Sequence, residues 1–204
     1  MDAKWIAFSG GKLLVPAEYQ QVDSMPEDPV GSVPLMVDTD ISTAFVMLYM
    51  MPAEYAMPFG SPRAVIDGIH EALGDDQGLV EVTGGETPSG NPYLFSIVKT
   101  KTRQPGVQYG LIMDVGVGAA AVHVQGFFDE KGVTGVRAAT VFAMLRNKGE
   151  VGPDMQGWSG DPYDDSYKRG FLKNISEGEE FDEMFPEDPL SMARAFARCV
   201  TSGL

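Results

Sequence analysis

The sequence predicts an α+β fold: a mostly antiparallel β-sheet flanked by helices, with a helical extension at its C-terminal end. Three observations carry that expectation. Short apolar runs broken by glycine-, proline- and asparagine-bearing turns recur between residues 5 and 128, the pattern of strands joined by hairpins. Only two segments before residue 150 show the period of an amphipathic helix, too few to alternate with the strands as βαβ units would. Beyond residue 150 the chain turns strongly acidic, yet it carries capping motifs and regularly placed aromatics.

The elements run in order along the chain. WIAF-SGG-KLLVP reads as a small hairpin, with Gly10-Gly11 supplying the positive φ angles of a tight turn. QQVDSMPEDPVGSVP has no periodicity and reads as a loop. ISTAFVMLYMM (41–51) is β-branched, aromatic and almost unbroken in apolarity, the mark of a central strand covered on both faces. Ser61-Pro62 opens a helix, with serine as cap and proline in the first turn. Its apolar face is Val65, Ile66, Ile69 and Leu73, and Gly74 ends it. LVEVTGGE (79–86) and YLFSIVKTKT (93–102) are strands joined by the turn cluster TPSGNP; VQYGLIMDV (107–115) and AAVHVQGFF (120–128) come next. The segment 133–149 is a helix with the stripe Val136, Ala139, Val141, Phe142 and Leu145, and with Arg146 and Lys148 near its C-terminal dipole. No internal repeat is visible.

Composition narrows the function. At 204 residues and 44% hydrophobic, the chain suits one domain with an appendage. One cysteine, Cys199, permits neither an internal disulfide framework nor a cysteine-based zinc site. There is no basic leader and no apolar run of the roughly 18–20 residues a membrane span needs, so a soluble, cytoplasmic protein is expected. The formal charge is −14, with −7 on residues 1–149, −9 on 150–188 and +2 on 189–204. Without a basic stripe, such a chain repels nucleic-acid phosphates and anionic lipid.

The order of elements resembles the PsbP-like fold, shared by PsbP, the Ran-binding Mog protein and the DcrB-related bacterial families. The resemblance runs over about residues 4–147. It rests on the hairpin entering KLLVPAEYQQV, the strand ISTAFVMLYMM leading to SPRAVIDGIHEAL, the turn and strand SGNPYLFSIV, and the hairpin 107–128 feeding a helix that ends in VFAML. It implies an α/β/α sandwich and a non-enzymatic role as an accessory, partner-binding or chaperone-like module. The acidic segment from 150 onward lies outside the shared pattern.

The residues themselves offer little catalysis. GVGAAA (116–121) fits the form of a dinucleotide loop. That loop needs a helix behind it and an acid about 20 residues on. Here AAVHVQGFF alternates like a strand and Asp129 comes 13 positions after Gly116, so a hairpin turn is expected. His70 falls at the edge of a helical apolar face, and His123 points to the strand face opposite Val122 and Val124. DPYDD (161–165) and VDTD (37–40) cluster carboxylates but lack calcium-loop spacing, and read as solvated acidic loops. No metal and no cofactor is called for.

The C-terminal segment, 150–204, reads as an acidic helical extension of a 1–149 domain. Ser176-x-x-Glu179 fits a capping box. Behind it Phe181, Met184 and Phe185 share one helical face while Glu180, Asp182 and Glu183 point outward. Asp188-Pro189 starts a last helix with the stripe Leu190, Ala193, Phe196, Ala197 and Val200, and with Arg194 and Arg198 on another face. Tyr163, Tyr167 and Phe171 recur every four residues. These faces dock on the chain's own sheet or meet a basic protein partner, so Tyr163, Tyr167, Phe171, Phe181, Met184 and Phe185 are the candidate partner-binding residues. A small-molecule binder or enzyme, with a pocket between sheet and extension and using carboxylates, tyrosines or His123, is the alternative. A structural subunit of an oligomer is a third.

Overall fold

A computed structural model describes residues 2–9, 11–103, 105–152 and 154–204. Among the described residues, nine strands form two antiparallel sheets. β1 (Ala3–Phe8) and β2 (Gly11–Pro16) are the expected hairpin. Gly11 lies at φ +132°, while Gly10, the other turn glycine, falls outside the described residues. The other seven strands form one sheet in the order β3-β4-β5-β9-β8-β7-β6. They are β3 (Gln20–Gln21), β4 (Val33–Asp38), β5 (Ser42–Pro52), β6 (Gln77–Glu86), β7 (Pro92–Lys101), β8 (Val107–Val117) and β9 (Ala120–Glu130). The helices are α1 (Pro62–Ala72), α2 (Val136–Asn147) and α3 (Pro189–Ser202). The fold is α+β, as expected.

Two strands escape a reading by pattern. β3 and β4 fall within the expected loop and acidic cluster, because Pro34 and Asp38 interrupt a run only six residues long. Pairing with β5 in register from Val33↔Leu48 to Asp38↔Thr43 makes β4 a strand. The GVGAAA stretch is the tight β8–β9 turn, with Gly118 at φ +63°.

The sheet's inner face is the main core. Leu35, Val46, Leu48, Ile97, Leu111, Met113, Val124 and Phe128 are buried there with Leu13 and Val15 of the β1–β2 hairpin and Leu190, Phe196, Ala197 and Val200 of α3. The stripe expected for the last helix is thus the part of α3 that faces the sheet. Asp188 caps it, accepting from the Leu190 N–H at 3.1 Å.

The segment between α2 and α3 corrects the sequence reading in three places. The capping box sits two residues earlier than Ser176–Glu179. The Asn174 side chain accepts from the Ser176 N–H, and the Glu177 carboxylate accepts from the Asn174 N–H at 2.7 Å. Second, Glu179–Met184 is a 3-10 helix. At three residues per turn it does not hold positions i, i+3 and i+4 on one face. Phe181 is buried, Phe185 is partly buried, and Met184 is half exposed. Third, Asp182 does not point outward.

Asp182 is the centre of a buried ionic network. Its Oδ1 accepts from Arg137 Nη2 at 2.9 Å, Arg194 Nη1 at 3.0 Å and Ser191 Oγ at 3.2 Å. All five Arg137 N–H donors are used, the others reaching Ser176 O, Gly178 O, Asp188 and Ser191. Arg194, fully buried, reaches Glu81 of β6 at 2.7 Å and the Glu177 carbonyl. Beside it, Lys99 of β7 grips both oxygens of Glu177 at 2.9 and 2.8 Å, and Tyr109 of β8 donates to the same carboxylate. Burial pushes the Lys99 ammonium below the ordinary lysine range, with Glu177 opposing. Of these carboxylates, Asp182 is the one that helical spacing places on an outward side.

Candidate functional site

The site begins with a connection. From β5 the chain must reach β6 at the far edge of the sheet, passing β9, β8 and β7. It does so across the outer face. The Met57 N–H donates to Asp114 Oδ2 at 2.7 Å, and the Phe59 ring lies beside Gly116. α1 then settles over β6 and β7, burying Ile66 and Leu73 against Leu79, Val82 and Leu94. A helix is about 10 Å wide and two strands span a similar distance, so one crossover helix covers only part of a seven-stranded sheet.

The remainder of the outer face, over β4, β5, β9 and β8, carries no helix among the described residues; its first row is exposed, and behind it Pro34, Met47 and Asp114 are buried. Strand register sets its rows. Met36, Phe45 and Phe127 stand side by side, with Gly110 next to Phe127. Pro34, Met47, Gln125 and Ile112 form the next row, and Tyr49, His123 and Asp114 the third. Met36, Phe45 and Phe127 are 42%, 37% and 40% exposed. A Cβ on Gly110 would meet only the Val98 carbonyl, so the row ends in a shallow dip. The expectation that 41–51 is covered on both faces is therefore corrected. One face is core; the other exposes Phe45 and partly exposes Tyr49, with Met47 buried between them.

At the third row, His123 Nδ1 lies 2.6 Å from Asp114 Oδ1, and the Tyr49 ring is tilted against the imidazole at 4.8 Å. Asp114 is buried, and its second oxygen is held by the Met57 N–H. His123 thus faces away from Val122 and Val124, as alternation predicts, and the carboxylate fixes its ring. Burial, and then the Asp114 charge, push the Tyr49 phenol above its usual range. The dyad lies on the opposite side of the sheet from α3.

The residues singled out in the C-terminal segment lie elsewhere. Residues 161–173 form a strap from α1 round the β6 edge to the inner face. Tyr163 OH both accepts from the Val82 N–H at 2.6 Å and donates to the Val82 carbonyl at 3.0 Å. Tyr167 stacks on His70 at 4.2 Å. The Phe171 N–H donates to the Gln77 carbonyl, and its ring lies 3.9 Å from Lys99 Nζ. Gly78 is required at the crossing, because a Cβ there would strike the Phe171 carbonyl. Asp161, read as part of a solvated loop, is buried; it accepts from the Tyr163 and Asp164 N–H groups and lies 2.9 Å from His70 Nε2. Phe181 packs with Val141, Leu145 and Trp158. Phe185 lines a notch with Ile41, Val133, Val136 and Pro189.

The structure therefore does not gather the six candidates into one surface. Sequence reasoning misses the exposed row because Phe45 and Phe127 sit in runs apolar enough to look buried on both sides. The signal present is excess: FVMLYMM and GFF hold more large apolar residues than one face needs. Among the described residues, no group of three or more histidine, cysteine or acidic side chains is placed to hold a metal, and no helix is long and apolar enough to cross a membrane.

No family model matches the chain, and no curated protein matches it significantly. Among solved structures it is similar to cyanobacterial PsbP from Synechocystis, at 14% identity over 67% of this chain and 81% of that one, with a TM-score of 0.37. It is also similar to the Ran-binding protein Mog1p of Saccharomyces cerevisiae, at 10% identity over 74% and 86%, with a TM-score of 0.41. A Mog1 variant aligns over 99% of this chain and 97% of its own, at 9% identity and a TM-score of 0.45. These belong to the PsbP and Mog1 type that the order of elements resembles. Likeness at this level concerns the fold and brings neither partner nor activity to this chain.

Proposed function

We propose that this chain is a non-enzymatic, protein-binding module, cytoplasmic and adaptor- or chaperone-like, whose contact surface is the open half of the outer sheet face. The observation that carries the reading is the row Met36, Phe45 and Phe127, three large apolar side chains adjacent on neighbouring strands and each about two-fifths exposed. Contiguous apolar surface of this kind marks interaction sites, whereas single exposed residues do not. Met184 and Phe185, with the notch at Ile41 and Val136, extend the proposed contact round the β4–β5 end. A net charge of −14 favours a basic partner.

The test is site-specific photo-crosslinking in cells, with the reactive group at position 45 or 127 and, as control, at exposed Glu71 on α1. A single protein captured from both sheet positions and absent from the control supports the reading. No capture, or equal capture at all three, refutes it.

The alternative, a small-molecule binder or enzyme, draws on one observation. A cleft of about 500 Å³ lies between the β1–β2 hairpin and α3, lined by Ala3, Leu14, Ala195, Arg198, Cys199 and Ser202. His123 is on the other side of the sheet, so that cleft and the oriented histidine do not form one site. A ligand that shifts the thermal midpoint of the wild type but not of Ala195→Trp would favour this alternative.

A further inference from the structure

We infer that the occupant of the open face is an amphipathic helix with lysine or arginine at its flanks, supplied by the partner, lying beside α1 as the missing member of that helical layer. The inference rests on the binding reading above and names the chemistry of what binds.

The dimensions come first. Thr43 to Tyr49 on β5 is six rises, about 20 Å, and the four strands β4, β5, β9 and β8 span about 14 Å. The footprint is therefore about 300 Å², with buried Pro34 and Met47 forming part of its floor, long enough for a helix of about 13 residues and wide enough for one helix only. Its other constraint is backbone. β5, β9 and β8 are paired on both sides, and β4 meets the short β3 at Leu35 and Met36, so the face offers mainly side chains rather than N–H and C=O groups. An added β-strand would find only the short β4 edge beyond β3, at Val37 and Asp38, whereas a helix satisfies its own backbone internally and needs only an apolar surface. α1 shows the same solution on the adjoining half, laying Ile66 and Leu73 on Leu79, Val82 and Leu94. The dip at Gly110 beside Phe127 gives a side-chain knob somewhere to sit.

The charge of the rim selects the helix. At the β4–β5 end stand Asp38, Asp40 and Asp129, with Lys131 the nearby base, paired to Asp38 at 2.6 Å. Where β5 ends, the chain runs into exposed Glu54. Both ends of the apolar patch are thus acidic. They favour a basic residue at each end of the docking stripe and disfavour an acidic helix. A second copy of this chain, bearing −14 itself, is disfavoured by the same field.

The inference is tested with labelled synthetic peptides of about 14 residues. One is a leucine–lysine helix with a single apolar face. The others are a scrambled peptide of the same composition, a leucine–glutamate counterpart, and the first peptide with a central proline. Fluorescence anisotropy should show the leucine–lysine helix binding the full chain. The other three should bind about tenfold or more weakly, and Phe127→Ser should weaken the first by a similar factor. Phe45→Ser and Met36→Ser stand in if Phe127→Ser lowers the thermal midpoint. Equal binding of the scrambled or proline peptide overturns the inference, as does indifference to all three substitutions. A dimer in solution that Phe127→Ser dissolves also overturns it. The crosslinking experiment separates the two claims: a partner captured at position 127 through an extended segment sinks the helix and leaves the binding reading standing. Capture through a segment with helical apolar spacing and basic flanks supports both.

Discussion

Asp182 shows how far a residue's position in sequence can mislead about its environment. Among Glu179, Glu180 and Glu183 it looks like one more solvated acid, yet it is buried against Arg137 and Arg194, with Arg198 3.6 Å from its other oxygen. That second oxygen has no hydrogen bond among the described residues, so the contact with Arg198 is Coulombic only. Removing one member of a buried ionic set leaves the rest desolvated and uncompensated. Asp182→Asn should therefore lower stability by about 3–5 kcal/mol, read as a shift of the urea midpoint at unchanged slope. Glu183→Gln, one position on and exposed, should leave the midpoint where it was. Phe45 illustrates the converse. Its strand is legible in the sequence and its exposure is not, because a run apolar at every position does not reveal which face stays uncovered.

At the scale of elements, the strap over 161–173 is an edge device. An exposed edge strand invites pairing with another chain. Here β6 is the last strand on one side, and its Val82 N–H and C=O are both met by one phenol while its Gln77 carbonyl takes the Phe171 N–H. Tyr163→Phe should therefore cost about 1–2 kcal/mol and speed amide exchange at Val82 selectively. Retained protection at Val82 would show that the hydroxyl is not what guards the edge. The spacing of Tyr163, Tyr167 and Phe171 looks helical, but Gly170 at φ +75° and the turn at Asp164 give a non-helical path. Each ring finds its own partner: the β6 backbone, His70 and Lys99. In the 3-10 helix 179–184 the apolar spacing is likewise real, and the tighter helix changes what that spacing means.

The whole molecule is decided by where α3 goes. Leu190, Phe196 and Val200 are fully buried in the same cluster as the sheet's inner face. At about 1.5–3 kcal/mol each, their loss is comparable with the total stability of an ordinary domain. Chains ending at Gly149 or at Glu187 should therefore lose near-ultraviolet circular dichroism and cooperative thermal unfolding. A cooperative transition in the chain ending at Gly149 would show instead that residues 1–149 fold alone. The same packing explains why part of one face of the sheet carries no helix. The hairpin and α3 gather on the inner side, and among the described residues the outer side receives α1, the segment leading into it and the start of the strap at Asp161 and Tyr163.

Local chemistry made much of this chain readable from its sequence. The hairpin at Gly11, seven of the nine strands, the helices opened by Pro62 and Pro189, and the turn at Gly118 all come from periodicity and backbone preference, which act within a few residues. What tertiary structure alone decided were relations between distant positions. Among them are the pairing that makes Val33–Asp38 a strand, the arginines that bury Asp182 and the β6 edge that takes Tyr163. The crossover that leaves Met36, Phe45 and Phe127 uncovered is another. Burial is a property of what packs opposite a residue. A single sequence records how apolar a face is, and the fold determines whether anything covers it.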